Sequence, residues 1–271
     1  MKKEIKKIIK SFIPPIIFDI FKKPRQYGFF GNYNSWSDAR SNSNGYDSPE
    51  ILERVKKSLL KVKNGEVAYE RDSVTFSKIQ YSWPVLSSML WTASKNNRLN
   101  VLDFGGSLGS SYYQNRNFLS HIADLTWNVI EQKNFVECGK KFFQDDTLKF
   151  YNDEEMTRCI SENKIDTLLV SSVIQYIEDP YQCLQDLLSL NIGVIIFDRT
   201  TFLKNEDRLT VQKVRPEIYN TSYPAWFLNE EKFLKIMGQK YILVSSFDSL
   251  FEKIDLGDKQ ACEKGFIFRS K

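Results

Sequence analysis

Histidine is nearly missing from this sequence: His121 is the single one in 271 residues. The four cysteines, Cys138, Cys159, Cys183 and Cys262, stand far apart with no C-x-x-C pair. These shortages suggest neither a zinc site nor a disulfide framework, and reduced thiols in a cytoplasmic protein are the simplest reading. Also missing are any uninterrupted apolar run near the ~20 residues of a membrane span and any small-residue cleavage site of a secretory leader. No internal repeat or low-complexity tract is visible. What is present, 42% hydrophobic residues, suffices for one large domain with an appendage.

The formal net charge of +4 is unevenly placed. Residues 1–25 hold Lys2, Lys3, Lys6, Lys7, Lys10, Lys22, Lys23 and Arg25 against Glu4 and Asp19. The rest of the chain is therefore slightly acidic, which argues against a nucleic-acid-binding core. Within the arm, Ile5, Ile8, Ile9, Phe12 and Ile13 recur at helical spacing, Pro14 and Pro15 interrupt, and Ile16, Ile17, Ile20 and Phe21 resume. A basic amphipathic segment of this kind can lie on an anionic membrane surface, here the inner face of a cytoplasmic membrane. The same stripe equally suits packing on its own domain or on a partner subunit.

Punctuation divides the chain into the basic arm (1–25), an N-terminal helical region (26–98) and an alternating strand and helix region (99–271) with an insertion at 200–228. In the second of these, a turn-rich aromatic stretch precedes a helix through ILERVKKSLLKVK, with Ser48 as its cap and Pro49 at its first position. A second helix is expected over 76–95, bent at Pro84. Five apolar runs follow: LNVLDF (99–104), TWNVIE (126–131), LKFY (148–151), IDTLLVSS (165–172) and NIGVIIFD (191–198). Helical stretches such as FVECGKKFFQ and PYQCLQDLLSL separate them, which gives a parallel sheet covered on both faces, an α/β fold. YILVSSFDSLF (241–251) and KGFIFRS (264–270) leave no room for a crossover helix between them and read as an antiparallel pair closing the sheet.

VLDFGGSLGSSYY (101–113) runs a buried strand straight into three glycines. A turn this bare lets a ligand approach the backbone and presents amides at a helix start. Spacing discriminates among ligands. A dinucleotide fingerprint from Gly105 needs glycine at 107, where Ser107 stands, and a P-loop needs a Gly-Lys-Ser/Thr that is absent. What remains, Asp103-Phe104-Gly105-Gly106-Ser107-Leu108-Gly109, resembles the first motif of the Rossmann-like methyltransferases, Asp/Glu-x-Gly-x-Gly-x-Gly. Ser107 departs from that motif at its central glycine, and Gly106 is expected to supply the lost freedom. The resemblance implies a mostly parallel seven-stranded Rossmann-like sheet with S-adenosylmethionine as cofactor and no metal. It places Asp103, Gly105, Gly106 and Gly109 around the cofactor, with Glu131 on the ribose hydroxyls. Asp153, or Asn152 beside it, falls where the fold reads adenine, a helix cap being the alternative. Ser171 and Ser172 fall beside the methionine portion.

The strings YERDSV (69–74), LDFGGSLGSSYYQN (102–115), SSVIQYIEDPY (171–181), DRT (198–200) and IYNTSYPAWF (218–227) occur together. Together they are similar to a methyltransferase family found among bacterial surface-polysaccharide biosynthesis genes, over nearly the whole chain from residue 28. That likeness implies a sugar acceptor, as glycan or as nucleotide-linked or lipid-linked precursor. Methyl transfer to a hydroxyl is an in-line displacement that also needs a proton removed. Asp198, ending the fifth strand, is the preferred base, and Tyr176 and His121 are the other candidates. Arg199 either neutralises Asp198 or clamps a carboxylate or diphosphate. In the insertion, Tyr219, Tyr223, Trp226 and Phe227 read as an aromatic lid over the acceptor. Tyr33, Trp36 and Tyr46, with Tyr69, Glu70, Arg71 and Asp72, are expected to close the pocket opposite. Ordinary packing is the alternative for each of these rings. Two rival functions remain: a methyltransferase for a non-sugar molecule, and a non-catalytic scaffold in glycan assembly, the latter resting on Ser107 and on the absence of an obvious base.

Overall fold

The computed structural model describes residues 26–45, 49–250 and 252–271; the basic arm, Tyr46 and Ser48 lie outside the described residues. A short strand, β1 (Gly28–Tyr33), leads into α1 (Trp36–Ser41) and α2 (Pro49–Lys63). In α2 the buried Ile51, Val55, Leu59 and Val62 recur every three or four residues, the spacing that puts them on one face. A two-residue turn joins β2 (Tyr69–Arg71) to β3 (Val74–Phe76). Asp72 and Ser73 there both take positive φ, 51° and 66°, the primed-turn geometry that matches strand twist. The next helix, α3 (Trp83–Ala93), starts at its proline and is not bent by it. Pro84 occupies the first turn, where a missing N–H leaves no helical bond unmade.

The alternating region supplies β4 (Arg98–Phe104), α4 (Ser110–Leu119), β5 (Asp124–Ile130), α5 (Lys133–Phe142), β6 (Leu148–Tyr151), α6 (Met156–Asn163), β7 (Thr167–Ser171), α7 (Pro180–Ser189) and β8 (Val194–Leu203). Their strands pair in parallel in the order β6-β5-β4-β7-β8, so the chain changes direction between β4 and β7. Then come β9 (Arg208–Lys213), β10 (Ser222–Asn229), α8 (Glu230–Met237), β11 (Tyr241–Asp248), β12 (Ile254–Asp255) and β13 (Gln260–Ser270). β13 is antiparallel to both β8 and β11 and stands between them. The seven strands read from the sequence thus form one mostly parallel sheet of Rossmann-like order, closed by the expected antiparallel pair.

Four further strands bring the sheet to eleven. β10 continues beside the outer end of β8, with Leu228 opposite Phe202, β9 pairs antiparallel with β10, and β1 pairs with β9. Most of the insertion is therefore built into the sheet and is not a detached flap, and the N-terminal region is woven into it through β1. One core, containing Met89, Trp127 and Phe150, packs on one face, and a second, containing Leu184, Phe197 and Phe233, packs on the other. No helix among the described residues is long and apolar enough to cross a membrane.

Candidate functional site

A cleft of about 800 Å³ opens at the C-terminal ends of β4 and β7 and beside the middle of β8, which continues past Asp198 to Leu203. Ligands of open α/β sheets sit at this change of strand direction. The glycine loop forms its floor. Gly105 has φ +70°, and a Cβ there would come within 2.5 Å of the Val173 side chain. At Gly106 a Cβ would overlap the Asp103 carboxylate. Gly109, at φ +93°, begins α4.

The central position behaves differently from expectation. Gly106 is required for space, and the left-handed turn is taken by Ser107 itself, at φ 56°. That conformation costs a non-glycine residue roughly 1 kcal/mol, and it aims the Ser107 N–H at Glu131 Oε1, 3.2 Å away. Glu131 Oε2 accepts from the Gln132 N–H at 2.8 Å. Asp103 is buried and accepts from the Trp127 indole N–H at 2.9 Å. Of the neighbouring pair, Asn152 is a helix cap, exchanging hydrogen bonds with Glu155 in a capping box, while Asp153 lines the cleft.

The far wall is set by a bulge in β8. Lys264 pairs with Thr200 and Phe266 with Phe197, so Asp198 and Arg199 together face Gly265 alone. Arg199 takes φ 50° there, and both residues line the cleft. Asp198 accepts from Ser249 Oγ at 3.1 Å and from Ser171 Oγ at 3.4 Å. Arg199 Nη1 lies 3.7 Å from Asp72 Oδ2, in the β2–β3 turn. Burial opposes the charge of Arg199, but Asp72, Asp198 and Glu263 around it outweigh that and hold it firmly protonated. Glu263, from β13, accepts from the Leu250 N–H at 3.1 Å. Glu70 is tied to the start of α4 by Ser110 Oγ at 2.6 Å and to its own turn by the Ser73 N–H at 2.7 Å.

Burial pushes the carboxyls of Glu70, Asp103, Glu131 and Glu263 up to about 7. Eight acidic residues and three arginines line the cleft, with no lysine or histidine. Such a lining suits a cationic ligand or hydroxyl donors.

Several predicted residues converge here and others do not. Ser171, Ser172, Trp36, Tyr69, Arg71, Tyr219 and Tyr223 line the cleft with the groups above. Tyr176 lines it too, its hydroxyl donating to Gln212 Oε1 at 2.8 Å and its ring edge-on to Tyr223. Burial pushes its phenol up, so it is no base at neutral pH. Trp226 lies three residues beyond Tyr223 on a strand, hence on the opposite face, and its indole N–H points to the Glu178 carbonyl at 3.3 Å. His121 is exposed in the turn before β5, at the opposite edge of the sheet. Tyr33 packs beside Leu209 and Val211, and Phe227 packs beside Phe29. Glu263, Ser249, Gln212 and Phe29 were not expected at the cleft; they arrive from distant strands and loops, and no local pattern marks them.

Fold and cleft together define a Rossmann-like α/β protein with an acid-lined ligand crevice over the glycine loop. No family model matches the chain, and no curated protein matches it. Among solved structures, the chain is similar to the N-terminal domain of EvdMO1 crystallised in the presence of SAH and D-fucose. Identity is 13%, over 83% of this chain and 98% of that one, with a TM-score of 0.47. An O-methyltransferase family protein from Burkholderia thailandensis matches at 11% identity, 87% and 76% coverage, and a TM-score of 0.47. A structure described as a putative S-adenosylmethionine dependent methyltransferase from Listeria monocytogenes matches at 9% identity, 70% and 97% coverage, and a TM-score of 0.43. The ligands named there belong to those proteins; the reading of this chain rests on its own residues.

Proposed function

We propose that the chain is an S-adenosylmethionine-dependent methyltransferase that O-methylates a sugar hydroxyl, in a surface polysaccharide or in its activated precursor. The observation that carries this reading is the join between the glycine loop and Glu131, in which the Ser107 N–H meets Glu131 Oε1 across a floor that excludes side chains at 105 and 106. Each Glu131 oxygen keeps a lone pair beyond its amide partner, so the carboxylate would accept two vicinal ribose hydroxyls. Asp153 would take the adenine amino group, and the 105–107 backbone with Ser171 and Ser172 would hold the amino-acid tail. S-Adenosylmethionine, when bound, supplies a methyl carbon on a cationic sulfonium, and the acid-rich lining favours that charge. The scaffold alternative rests on Ser107 and on the absence of an obvious base; Ser107 itself completes the left-handed turn, which removes the first of these grounds.

On the acceptor side, Trp36, Tyr219 and Tyr223 offer ring faces to a sugar. Proton removal falls to Glu263 in preference to Asp198. Glu263 lines the cleft, and burial pushes its carboxyl up to about 7, near the operating pH of a general base. Calorimetric titration with S-adenosylmethionine, S-adenosylhomocysteine and NAD tests the reading. Both adenosyl ligands should bind and NAD should not, and Glu131→Ala should weaken binding by about tenfold or more, as for lost charge-assisted hydrogen bonds. Absence of adenosyl binding sinks the proposal.

A further inference from the structure

From Ser73 to Ala123 the chain has one acidic residue, Asp103, and it is buried in the cleft. Over the whole chain acids are frequent, 34 in 271 residues. The acid-free stretch builds α3 and α4, and its cations include Lys78, Lys95 and Arg116. On the outer face of these helices large rings stand in water. Trp83 is 58% exposed, Trp91 40% and Phe118 37%. Trp83, Ser87 and Trp91 recur every fourth residue, one outward line along α3, while Val85, Leu86 and Met89 face the core. Tyr81, Trp83 and Phe118 touch one another, with ring centroids 5.0, 5.1 and 5.7 Å apart. The rings run to the cleft mouth, where Tyr81 and Trp83 line the opening.

Charge selects the occupant of this face. Indole and phenol rings settle at the headgroup level of a bilayer, apolar body inward and polar edge toward water. Anionic headgroups repel carboxylates and attract cations, so a face destined for them should present no acids of its own, and α3 and α4 contain none. The eight basic residues of positions 1–25 add attraction of the same sign. We propose that the outer face of α3 and α4 docks on an anionic lipid bilayer through Trp83, Trp91 and Phe118, which holds the protein at the surface where its acceptor would be a lipid-linked saccharide. The acceptor clause rests on the methyl-transfer reading; the docking does not.

The test is co-sedimentation of the full chain with vesicles of phosphatidylglycerol and phosphatidylethanolamine, against vesicles of phosphatidylcholine alone. Trp91→Ser combined with Phe118→Ser removes two rings that do not line the cleft. The wild type should sediment with the anionic vesicles only, and the double variant should bind about fivefold less or weaker still. No sedimentation of the wild type overturns the proposal. So does equal sedimentation of the double variant, which would assign binding to the basic arm alone. Self-association of the wild type in light scattering that the variant loses would also overturn it, because the face would then belong to a second copy. The two readings fail separately: S-adenosylmethionine titration of both proteins, without vesicles, reports on methyl transfer, and the variant should match the wild type there.

Discussion

Gly106 has no room for a methyl group, because the space where a Cβ would go is filled by the Asp103 carboxylate. Gly106→Ala should lower stability by roughly 2 kcal/mol, the usual scale of overpacking, and remove adenosyl binding, as read by chemical denaturation and calorimetry. A variant that binds normally would contradict the tight floor. Glu131 leads to a pH effect. Its carboxyl is pushed up to about 7 by burial, and the ionised form is the better acceptor for two hydroxyls. Adenosyl affinity should therefore rise from about pH 6 to pH 8, with proton release visible in buffers of different ionisation enthalpy. At this scale the sequence disclosed the residues whose role is local. Asp103 and the glycines could be read because a strand, a turn and a helix are contiguous. Glu263 could not, because nothing in QACEKGFIFRS says that its fourth strand position opens on a cleft built by β4 and β7.

At the scale of elements, the β2–β3 hairpin holds two unusual residues in its turn. Ser73 takes φ 66°, and its hydroxyl is buried with no hydrogen-bond partner. Ser73→Gly keeps the backbone N–H that binds Glu70, relieves the left-handed strain and deletes the orphan hydroxyl. A gain of about 0.5–1 kcal/mol in unfolding free energy is expected, and a loss would show that the strain is not there. The hairpin was invisible in the sequence because Asp-Ser lacks the glycine that usually signals a primed turn. β1, β9 and β10 escaped for another reason. They read as loop and insertion, and they are strands because each finds a partner edge, β10 on β8, β9 on β10 and β1 on β9. The central parallel strands β4, β7 and β8 needed no such help: their apolar runs are buried on both faces, as the middle of a parallel sheet requires.

For the whole molecule, four buried carboxyls set the response to pH. Glu70, Asp103, Glu131 and Glu263 are raised to about 7 from ordinary values near 4. A carboxyl that binds its proton more tightly when folded stabilises the fold below its unfolded value, and the contribution is lost as pH rises through the folded value. The unliganded protein should therefore be more stable near pH 5 than near pH 8, by roughly a few kcal/mol in all. Denaturant titrations across that range check it, and a profile that rises toward pH 8 would contradict it. Partial ionisation of an acid-lined cleft is thus a standing tension in the fold, one that a cationic ligand would relieve.

β13 is the last strand in sequence, yet it stands inside the sheet, between β8 and β11. A nascent chain halted before Gln260 would carry a finished glycine loop and no neighbour for the flank of β8. Its cleft would lack Glu263, and the Asp198–Arg199 bulge would have no strand to bulge against. The order of synthesis thus delivers the ligand floor early and the wall that carries Glu263 last, and a premature stop codon in the final strand would leave β11 without a partner and one flank of β8 bare.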